Sequence, residues 1–308
     1  MLLLIACTKT PEPGDSSADL PDPVGDPDTV ELLGMCPLAD HLGGFIVEVA
    51  PDTSIVDGRV RDGVVPITVL TEVTRLDECA LLRRENPYCD PDCEIDEACD
   101  LDETCIPYPS DVDLGTVTLA GLEEDLRMEP VTPGFRYFDT SLSHPALAGG
   151  ELLELHAYGA LDEVVLHGVG PTPLVAELEE DLVVVEGSAL SLSWEGDPGG
   201  RSSLALQLSI DQHGSSPLRI VCELEDDGAG EVPVELVEAL LGGGVTGYPN
   251  ATLTRHTADL AEIDGGCVDL EVSSPLPVGV RVEGYIPCTD EDDCPPTMDC
   301  NTEIELCQ

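Results

Sequence analysis

The sequence predicts a mainly β protein: an antiparallel β-sandwich of the Ig-like type, with one short helix and two small disulfide-rich knots. Three observations support this prediction. Apolar and polar residues alternate in runs such as SLALQLSID, where Leu204, Leu206, Leu208 and Ile210 share one face of a strand. Such runs recur at roughly ten-residue spacing and end at Gly, Pro or Asp, which is typical of sandwiches. Eight of the 13 cysteines cluster in two short acidic blocks.

The chain begins with a short apolar run, MLLLIAC, that ends at Cys7. Its last four residues resemble the lipobox of bacterial lipoproteins, in which the signal peptide is cut before a cysteine that is then acylated. We therefore interpret residues 1–7 as a truncated lipoprotein signal peptide with Cys7 as the lipidated residue. The basic region and most of the apolar region are missing, so we expect the true start codon upstream. A chance apolar N-terminus is the alternative.

Residues 8–30 follow as TKTPEPGDSSADLPDPVGDPDTV, which is rich in Pro, Asp, Gly and Ser. Such a composition cannot bury enough apolar surface to fold by itself. The segment is predicted to be a disordered acidic tether. Thr8 after the cysteine is compatible with outer-membrane export in lipoproteins of the enteric type.

Residues 31–285 are predicted to form the β-sandwich, interrupted by a cysteine-rich insertion at 79–110. Phe45, Val47 and Val49 alternate with other residues in the first strand-like run, and TVTLAGL resumes the pattern after the insertion. The runs ELLELHAYG, DEVVLHGVG, DLVVVEG, LRIVCELED, ATLTRHT, CVDLEVS and VGVRVEGY continue it. Residues 286–308 form the C-terminal four-cysteine block.

One segment, EVPVELVEALLGGG, departs from the strand pattern. Val234, Val237, Leu240 and Leu241 recur at helical spacing. Pro233 suits the first turn of a helix and the glycine run ends it. The segment predicts one short helix packed against the sheets. Alternating strands and long helices are missing from the pattern, which argues against a Rossmann-like or TIM-barrel enzyme.

Cysteines other than Cys7 form an even set, as a disulfide framework requires. The twelve predicted disulfide cysteines are Cys36, Cys79, Cys89, Cys93, Cys99, Cys105, Cys222, Cys267, Cys288, Cys294, Cys300 and Cys307. Each four-cysteine block is expected to close internally. For the rest, Cys36 with Cys79 and Cys222 with Cys267 are the simplest pairs, although spacing alone leaves the connectivity open.

Zinc is the alternative interpretation of the two blocks. Structural zinc sites use ligand pairs two to four residues apart, because a tight turn must aim both sulfurs at one ion. Intervening residues here number three, five and five in the first block and five, five and six in the second, without histidine. Disulfides in an oxidising compartment explain both blocks more simply.

The charge balance is extreme, with 12 basic against 63 acidic residues and a net charge of −51. A surface this negative repels nucleic acid and anionic lipid headgroups, so nucleic acid is excluded as a partner. It favours cations, basic partners or a saline medium.

The sequence lacks several common catalytic and nucleotide-binding motifs. The six histidines are scattered, HExxH and the Gly-x-Ser-x-Gly elbow do not occur, and there is no glycine-rich nucleotide loop. A catalytic triad assembled from residues on distant strands remains an alternative, because a triad is defined by the spatial arrangement of its residues and not by their order in the sequence. We predict a non-catalytic protein, with an envelope hydrolase as one alternative.

Calcium is the one cofactor that the residues suggest. Calcium binds six to eight oxygens, several of them from carboxylates. Aspartates surround the cysteines of the first block, at Asp90, Asp92, Asp96, Asp100 and Asp102. Neither block has the residue order of an EF-hand loop, so a solvated acidic surface is preferred and a calcium-dependent adhesion module is the second alternative.

The lipobox, the acidic tether and the block CTDEDDCPPTMDCNTEIELCQ together resemble an uncharacterised group of cysteine-rich predicted surface lipoproteins of myxobacterial-type Gram-negative bacteria. The blocks look like the small disulfide repeats of that group, which often carry Asp-Cys-Pro, as at 293–295 here. The resemblance covers the N-terminus and the blocks. It implies location and architecture and transfers no catalytic residue.

The sequence therefore predicts an exported, lipid-anchored protein of the cell envelope that serves as a binding or structural module. Its expected location is the outer membrane, on the periplasmic or cell-surface side. Its expected partners are the membrane, through the N-terminal lipid, and a protein or glycan ligand. Loops that connect the strands are the expected contact surface.

Overall fold

The computed structural model describes residues 25–50, 52–66, 70–85, 87–159, 163–175, 181–197, 199–211 and 217–308. Cys7, the predicted signal region, most of the predicted tether and His213 lie outside the described residues. The described part is mainly β, with one α-helix and several disulfides, as predicted.

Strands succeed one another along nearly the whole described chain. The first half contains β1 (His41–Val49), β2 (Ser54–Val60), β3 (Leu70–Leu76), β4 (Cys79–Arg84), β5 (Glu97–Cys99), β6 (Cys105–Pro107), β7 (Thr116–Ala120), β8 (Leu126–Met128), β9 (Tyr137–Asp139) and β10 (Leu152–Tyr158). The second half contains β11 (Val164–Val169), β12 (Leu182–Val184), β13 (Leu190–Ser193), β14 (Ser203–Ser209), β15 (Leu218–Glu225), β16 (Ala229–Val232), α1 (Val234–Gly242), β17 (Asn250–Ile263), β18 (Gly266–Val282), β19 (Cys300–Asn301) and β20 (Leu306–Cys307).

A ten-stranded sheet forms the body of the molecule. Nine of its strands follow the order β3-β4-β15-β14-β17-β18-β1-β2-β9, and β12 pairs with β18 outside this path. A four-stranded sheet has the order β11-β10-β7-β8, and three hairpins, β13-β16, β5-β6 and β19-β20, complete the fold.

The prediction of an antiparallel Ig-like sandwich needs correction, because the main sheet is mixed. β1 runs parallel to β18, with Phe45 opposite Leu270, and β12 runs parallel to the end of β18. Parallel neighbours arise because β18 follows β1 by more than 200 residues, so no hairpin dictates their direction. The arrangement is therefore not a simple sandwich of two antiparallel sheets.

The long hairpin β17-β18 connects two separate hydrophobic cores. What we call the two-sheet core lies between one half of the ten-stranded sheet and the four-stranded sheet, with side chains of β1, β2, β7, β10, β11 and β18. The helix-side core lies under the other half and contains side chains of β4, β14, β15, α1 and β20. The apolar faces of alternating strands supply the side chains of these cores. In the helix-side core, Leu204, Leu206, Leu208 and Ile210 are fully buried, as predicted.

The edge of the four-stranded sheet is closed by side chains of β17. Thr257 Oγ1 accepts a hydrogen bond from Val169 N at 3.0 Å and donates one to Val169 O at 2.8 Å. Asp259 Oδ2 accepts from His167 N at 2.9 Å. Three backbone groups of β11 thus find side-chain partners instead of another strand, which reduces the capacity of this edge to pair with a second chain.

Tyr137 and Phe45 anchor the two-sheet core. The Tyr137 hydroxyl accepts from Leu114 N at 3.0 Å and donates to Gly115 O at 2.9 Å. Burial raises the pKa of Tyr137 to about 12. Its ring lies 5.6 Å from that of Phe45, which in turn covers Gly58 on the neighbouring strand. A side chain at Gly58 would collide with the Phe45 ring, so this position requires glycine.

The predicted helix is confirmed at Val234–Gly242, directly after Pro233. Leu236, Val237 and Leu240 are its buried residues, so the inward face includes Leu236, which lies outside the predicted set. The helix packs on β4 and β15 and closes the helix-side core.

Candidate functional site

All twelve cysteines after Cys7 are joined in six disulfides, as predicted. The pairs are Cys36–Cys267, Cys79–Cys222, Cys89–Cys99, Cys93–Cys105, Cys288–Cys300 and Cys294–Cys307. Both blocks close internally, which confirms that part of the prediction.

The two simplest long-range pairs were wrong. Cys79 bonds to Cys222 because β4 and β15 are neighbours and place the two residues directly opposite each other. Cys36 bonds to Cys267 because the parallel pairing of β1 with β18 brings the chain before β1 to the start of β18. The strand β4 also belongs to the main sheet, so the cysteine-rich insertion begins after Arg84 rather than at residue 79.

The two blocks share one structural plan. In each, the first cysteine bonds to the third and the second to the fourth. The third and fourth cysteines stand opposite each other in a hairpin, Cys99 with Cys105 in β5-β6 and Cys300 with Cys307 in β19-β20. The residue two positions before the fourth cysteine has a positive φ in both cases, 64° at Glu103 and 53° at Glu305. We call them the first block and the C-terminal block.

The C-terminal block is packed into the body of the protein. Cys288 is 0% exposed and Leu306 is 5% exposed, and Leu306 belongs to the helix-side core. Ile304 packs against the same core, and its carbonyl accepts a hydrogen bond from Gly247 N at 2.8 Å. This block therefore covers part of the core.

The first block projects from the body instead. Tyr88 is 72% exposed and Leu101 is 38% exposed, and Ile95 and Tyr108 are exposed as well. A groove of about 620 Å³ lies between the block and the start of the ten-stranded sheet, lined by Thr71, Glu85, Pro87, Tyr88, Asp90, Leu101 and Glu103. Apolar side chains displayed on a disulfide-braced scaffold are the feature expected of a contact surface.

The predicted calcium ligands lie in this block but do not converge. Asp90, Asp92, Asp96 and Asp102 are exposed, and Asp100 Oδ1 accepts a local hydrogen bond from Leu101 N at 2.7 Å. Within the described part of the chain, the groups of three potential ligands with donor atoms inside 4.8 Å all contain disulfide cysteines and none of these aspartates. Calcium binding stays a prediction.

Asp102 has a structural role in the hairpin turn. Its Oδ1 accepts from the Thr104 hydroxyl at 2.5 Å and from Thr104 N at 3.0 Å. These two bonds lower the pKa of Asp102 below its ordinary value of 3.8. In the C-terminal block, bonds from Thr289 N, the Thr289 hydroxyl and Asp290 N lower the pKa of Asp293 in the same way.

Two histidines share one buried carboxylate on the outer face of the four-stranded sheet. His156 Nε2 lies 2.6 Å from Glu154 Oε1, and His167 Nε2 lies 3.3 Å from Glu154 Oε2. Tyr158 OH lies 2.9 Å from His156 Nδ1, and Asp259 Oδ2 lies 3.7 Å from His167 Nδ1. The sequence placed both histidines in strands but gave no sign that they meet.

Two further histidines are paired with acids along the ten-stranded sheet. The hydrogen bond that His41 Nε2 donates to Asp269 Oδ1 raises the pKa of His41, against a smaller opposing effect of burial. Burial alone would lower the pKa of His256, but its 2.8 Å contact with Glu223 and the nearby charge of Glu271 raise it. Sequence reasoning missed these acids, although charged residues inside apolar strand runs were the available signal.

A buried ion pair links β17 to the loop after β15. Arg255 and Asp226 are 2% and 1% exposed in their side chains and meet in a bidentate contact of 2.6 and 3.0 Å. Asp226 also accepts from Trp194 Nε1 at 2.7 Å and from the Ser202 hydroxyl at 3.0 Å. Because its charges are fully hydrogen-bonded, this pair fixes how β17 meets the loop after β15.

A small cleft of about 200 Å³ opens beside this ion pair, next to Pro27 and Asp28 of the N-terminal segment. Its walls include Thr172, Asp197 and Ser202, whose polar atoms bond to one another or to the ion pair. The cleft is thus a consequence of the buried network rather than a separate set of reactive groups.

Neither the models of known protein families nor the curated proteins contain a match to this chain. Among the described residues, no helix is both long and apolar enough to cross a membrane.

Proposed function

We propose that this protein is an exported, lipid-anchored component of the cell envelope that acts as a non-catalytic binding or structural module. The observation that carries the proposal is the use of all twelve cysteines after Cys7 in six disulfides. Disulfide frameworks form and persist in oxidising compartments and are rare in the cytosol. The lipobox-like run before Cys7 then gives the residue that would carry the anchor.

The place where the tether joins the body supports an anchored protein. Leu33 N donates to Asp259 Oδ1 at 3.1 Å, and Gly34 N donates to Ala258 O at 3.0 Å. The Cys36–Cys267 disulfide follows immediately. A chain held by a tether at its N-terminus would transmit any load through residues 33–36. The Cys36–Cys267 disulfide joins this segment covalently to the long hairpin β17-β18.

The binding role is supported by the first block, which displays Tyr88 and Leu101 beside a groove. A rigid block with exposed apolar side chains loses little conformational entropy when it binds a partner. Outer-membrane location, on the periplasmic or cell-surface side, is part of the proposal.

Localisation and acylation test the proposal directly. The gene is expressed in a Gram-negative host with a complete signal peptide, alongside a Cys7→Ala variant. We expect radiolabelled palmitate on the wild type, recovery in the outer-membrane fraction, and six disulfides by peptide mapping. Equal detergent partitioning of both forms would disprove the anchor, and free thiols throughout either block would disprove the oxidising compartment.

An envelope hydrolase is a second candidate, favoured by the shared contact of His156 and His167 with Glu154. Histidines oriented by a carboxylate resemble the base-and-orienter part of a catalytic site. Screening ester, peptide and glycoside substrates with the wild type and with Glu154→Gln decides this. Turnover by the wild type that the variant loses would replace the non-catalytic proposal.

A further inference from the structure

We propose that the groove between the first block and the edge of the ten-stranded sheet binds an extended, basic segment of a partner protein, in which Arg or Lys residues alternate with apolar ones. This inference rests on the binding role proposed above and names the partner class. Three features of the groove carry it: its apolar floor, its charge, and its position at a strand edge.

The apolar floor is provided by Tyr88, Leu101 and Pro87. Tyr88, which directly precedes Cys89, is 72% exposed, and Leu101, which lies inside the segment closed by two disulfides, is 38% exposed. The C-terminal block, which has the same disulfide plan, buries its apolar hairpin residue Leu306 in the core. The plan itself therefore does not require apolar residues to face water, and a partner that covers them would gain the free energy of their burial.

The charge of the groove selects a cationic partner. Glu85, Asp90 and Glu103 line it, and no lining residue in the described part of the chain is Lys, Arg or His, while Arg83 and Arg84 lie next to it on β4. Carboxylates placed around an apolar centre match a segment with alternating cationic and apolar side chains, and they steer such a segment during encounter. The charge of −51 makes a second copy of this chain an unsuitable occupant.

The position of the groove favours an extended segment. One wall includes Thr71 of β3, which is the outermost strand of the ten-stranded sheet. Glu85 Oε1 accepts from the Thr71 hydroxyl at 2.9 Å and so is held at the mouth of the groove. Segments that bind beside an edge strand adopt an extended backbone, with alternate side chains facing the pocket.

Peptide binding to the purified, disulfide-bonded protein tests the proposal. The probe is a fluorescein-labelled twelve-residue peptide in which arginine alternates with leucine, measured by fluorescence anisotropy in dilute and in concentrated sodium chloride. Two comparison peptides replace leucine by serine or arginine by glutamate. We expect binding of the first peptide, weakened by salt, and at least about tenfold weaker binding of both comparison peptides.

Variants locate the binding surface. Tyr88→Ser with Leu101→Ser removes the apolar floor, and Tyr285→Ser with Ile286→Ser is the matched control on exposed residues before the C-terminal block. We expect the first pair to weaken binding about tenfold or more, as for central interface residues, and the control pair to change it less than about twofold.

A second set keeps the test valid if the floor variant fails to fold. Glu85→Gln, Asp90→Asn and Glu103→Gln remove three groove charges without changing shape, and Glu123→Gln, Glu124→Gln and Glu186→Gln remove three exposed charges elsewhere. Weaker binding by the groove set alone supports the proposal. Equal effects of the two sets, equal binding of the arginine–serine peptide, or no binding in dilute salt would overturn it. None of these outcomes bears on acylation of Cys7, so the location of the protein is tested separately.

Discussion

The first block and the C-terminal block have the same disulfide connectivity and opposite relations to the body of the protein. The C-terminal block places Leu306 in the helix-side core, whereas the first block leaves Leu101 and Tyr88 in solvent. Counting back from the fourth cysteine, Leu306 and Ile304 correspond to Thr104 and Asp102. The same disulfide connectivity is therefore compatible with both placements, and we expect the two hairpin residues to determine whether a block packs on the core or projects from it.

The largest expected difference comes from removing the disulfides of one block at a time. Changing all four cysteines of the C-terminal block to serine should lower the free energy of unfolding by about 4–8 kcal/mol, since each bond typically contributes about 2–4 kcal/mol. The same change in the first block should leave the body nearly unaffected, because a long flexible loop between β4 and β7 costs little extra closure entropy. Urea denaturation followed by tryptophan fluorescence measures both, since Trp194 lies in the helix-side core.

Equal losses of stability in the two serine variants would contradict the comparison, because they would show that the first block unfolds together with the body. A reduced wild-type sample is the control that gives the combined effect of all six disulfides.

Exchanging the hairpin residues between the two blocks tests their separate contributions to stability. Leu306→Thr puts the residue of the first block into the C-terminal block and should destabilise the protein by about 2–4 kcal/mol, through lost packing and a buried hydroxyl. The reciprocal Thr104→Leu lies on an exposed hairpin and should change the unfolding free energy by less than about 0.5 kcal/mol. Denaturation midpoints of the two variants give the answer, and a small effect of Leu306→Thr would mean that the C-terminal block does not support the core.

Acidification should affect the turns of both blocks in the same direction but with different consequences. The pKa values of Asp102 and Asp293 are lowered in the folded protein, so their stabilising effect is present above pH 3.8 and is lost as the pH falls through the folded values. Asp293→Asn should lower the melting temperature at neutral pH and remove part of its dependence on acid. Asp102→Asn should change only the amide exchange of Thr104.

Hydrogen exchange at the Thr104 and Thr289 amides, combined with thermal melts from pH 2 to 7, separates the local effect from the global one. If Asp102→Asn and Asp293→Asn lowered the melting temperature equally, the first block would not unfold independently of the body of the protein.

Cations give the smallest expected effect. With a net charge of −51, the melting temperature should rise with sodium chloride, because the screening length falls from about 10 Å at 0.1 M to about 3 Å at 1 M. Calcium and sodium at equal ionic strength should act alike if only screening matters. A specific site among Asp90, Asp92 and Asp100 would instead saturate at low calcium and stabilise by RT ln(1 + [L]/Kd).

Thermal melts in both salt series measure this effect, with Asp90→Asn and Asp92→Asn as the matched variant. Saturation at micromolar calcium that this variant abolishes would establish the calcium-dependent alternative. A melting temperature independent of salt would contradict the repulsion argument.

Features of the fold that depend on neighbouring residues could be predicted from the sequence. A period of two places Leu204, Leu206 and Leu208 on one face wherever β14 lies, and Pro233 with the glycine run bounds the helix. Cysteines ten to thirteen positions apart pair within each block, because the intervening chain is short and contains few apolar residues.

Contacts between segments that are distant in the chain could not be predicted from the sequence and are seen in the folded structure alone. Loop closure costs about 0.6 kcal/mol for each doubling of loop length. Short separation therefore gave Cys36 and Cys79 little advantage over the partners at separations of 231 and 143 that strand pairing provides. The parallel direction of β1, the Arg255–Asp226 pair and the exposure of the first block likewise follow from packing between residues far apart in the chain. The local alternation of apolar and polar residues does not depend on those contacts and therefore cannot predict them.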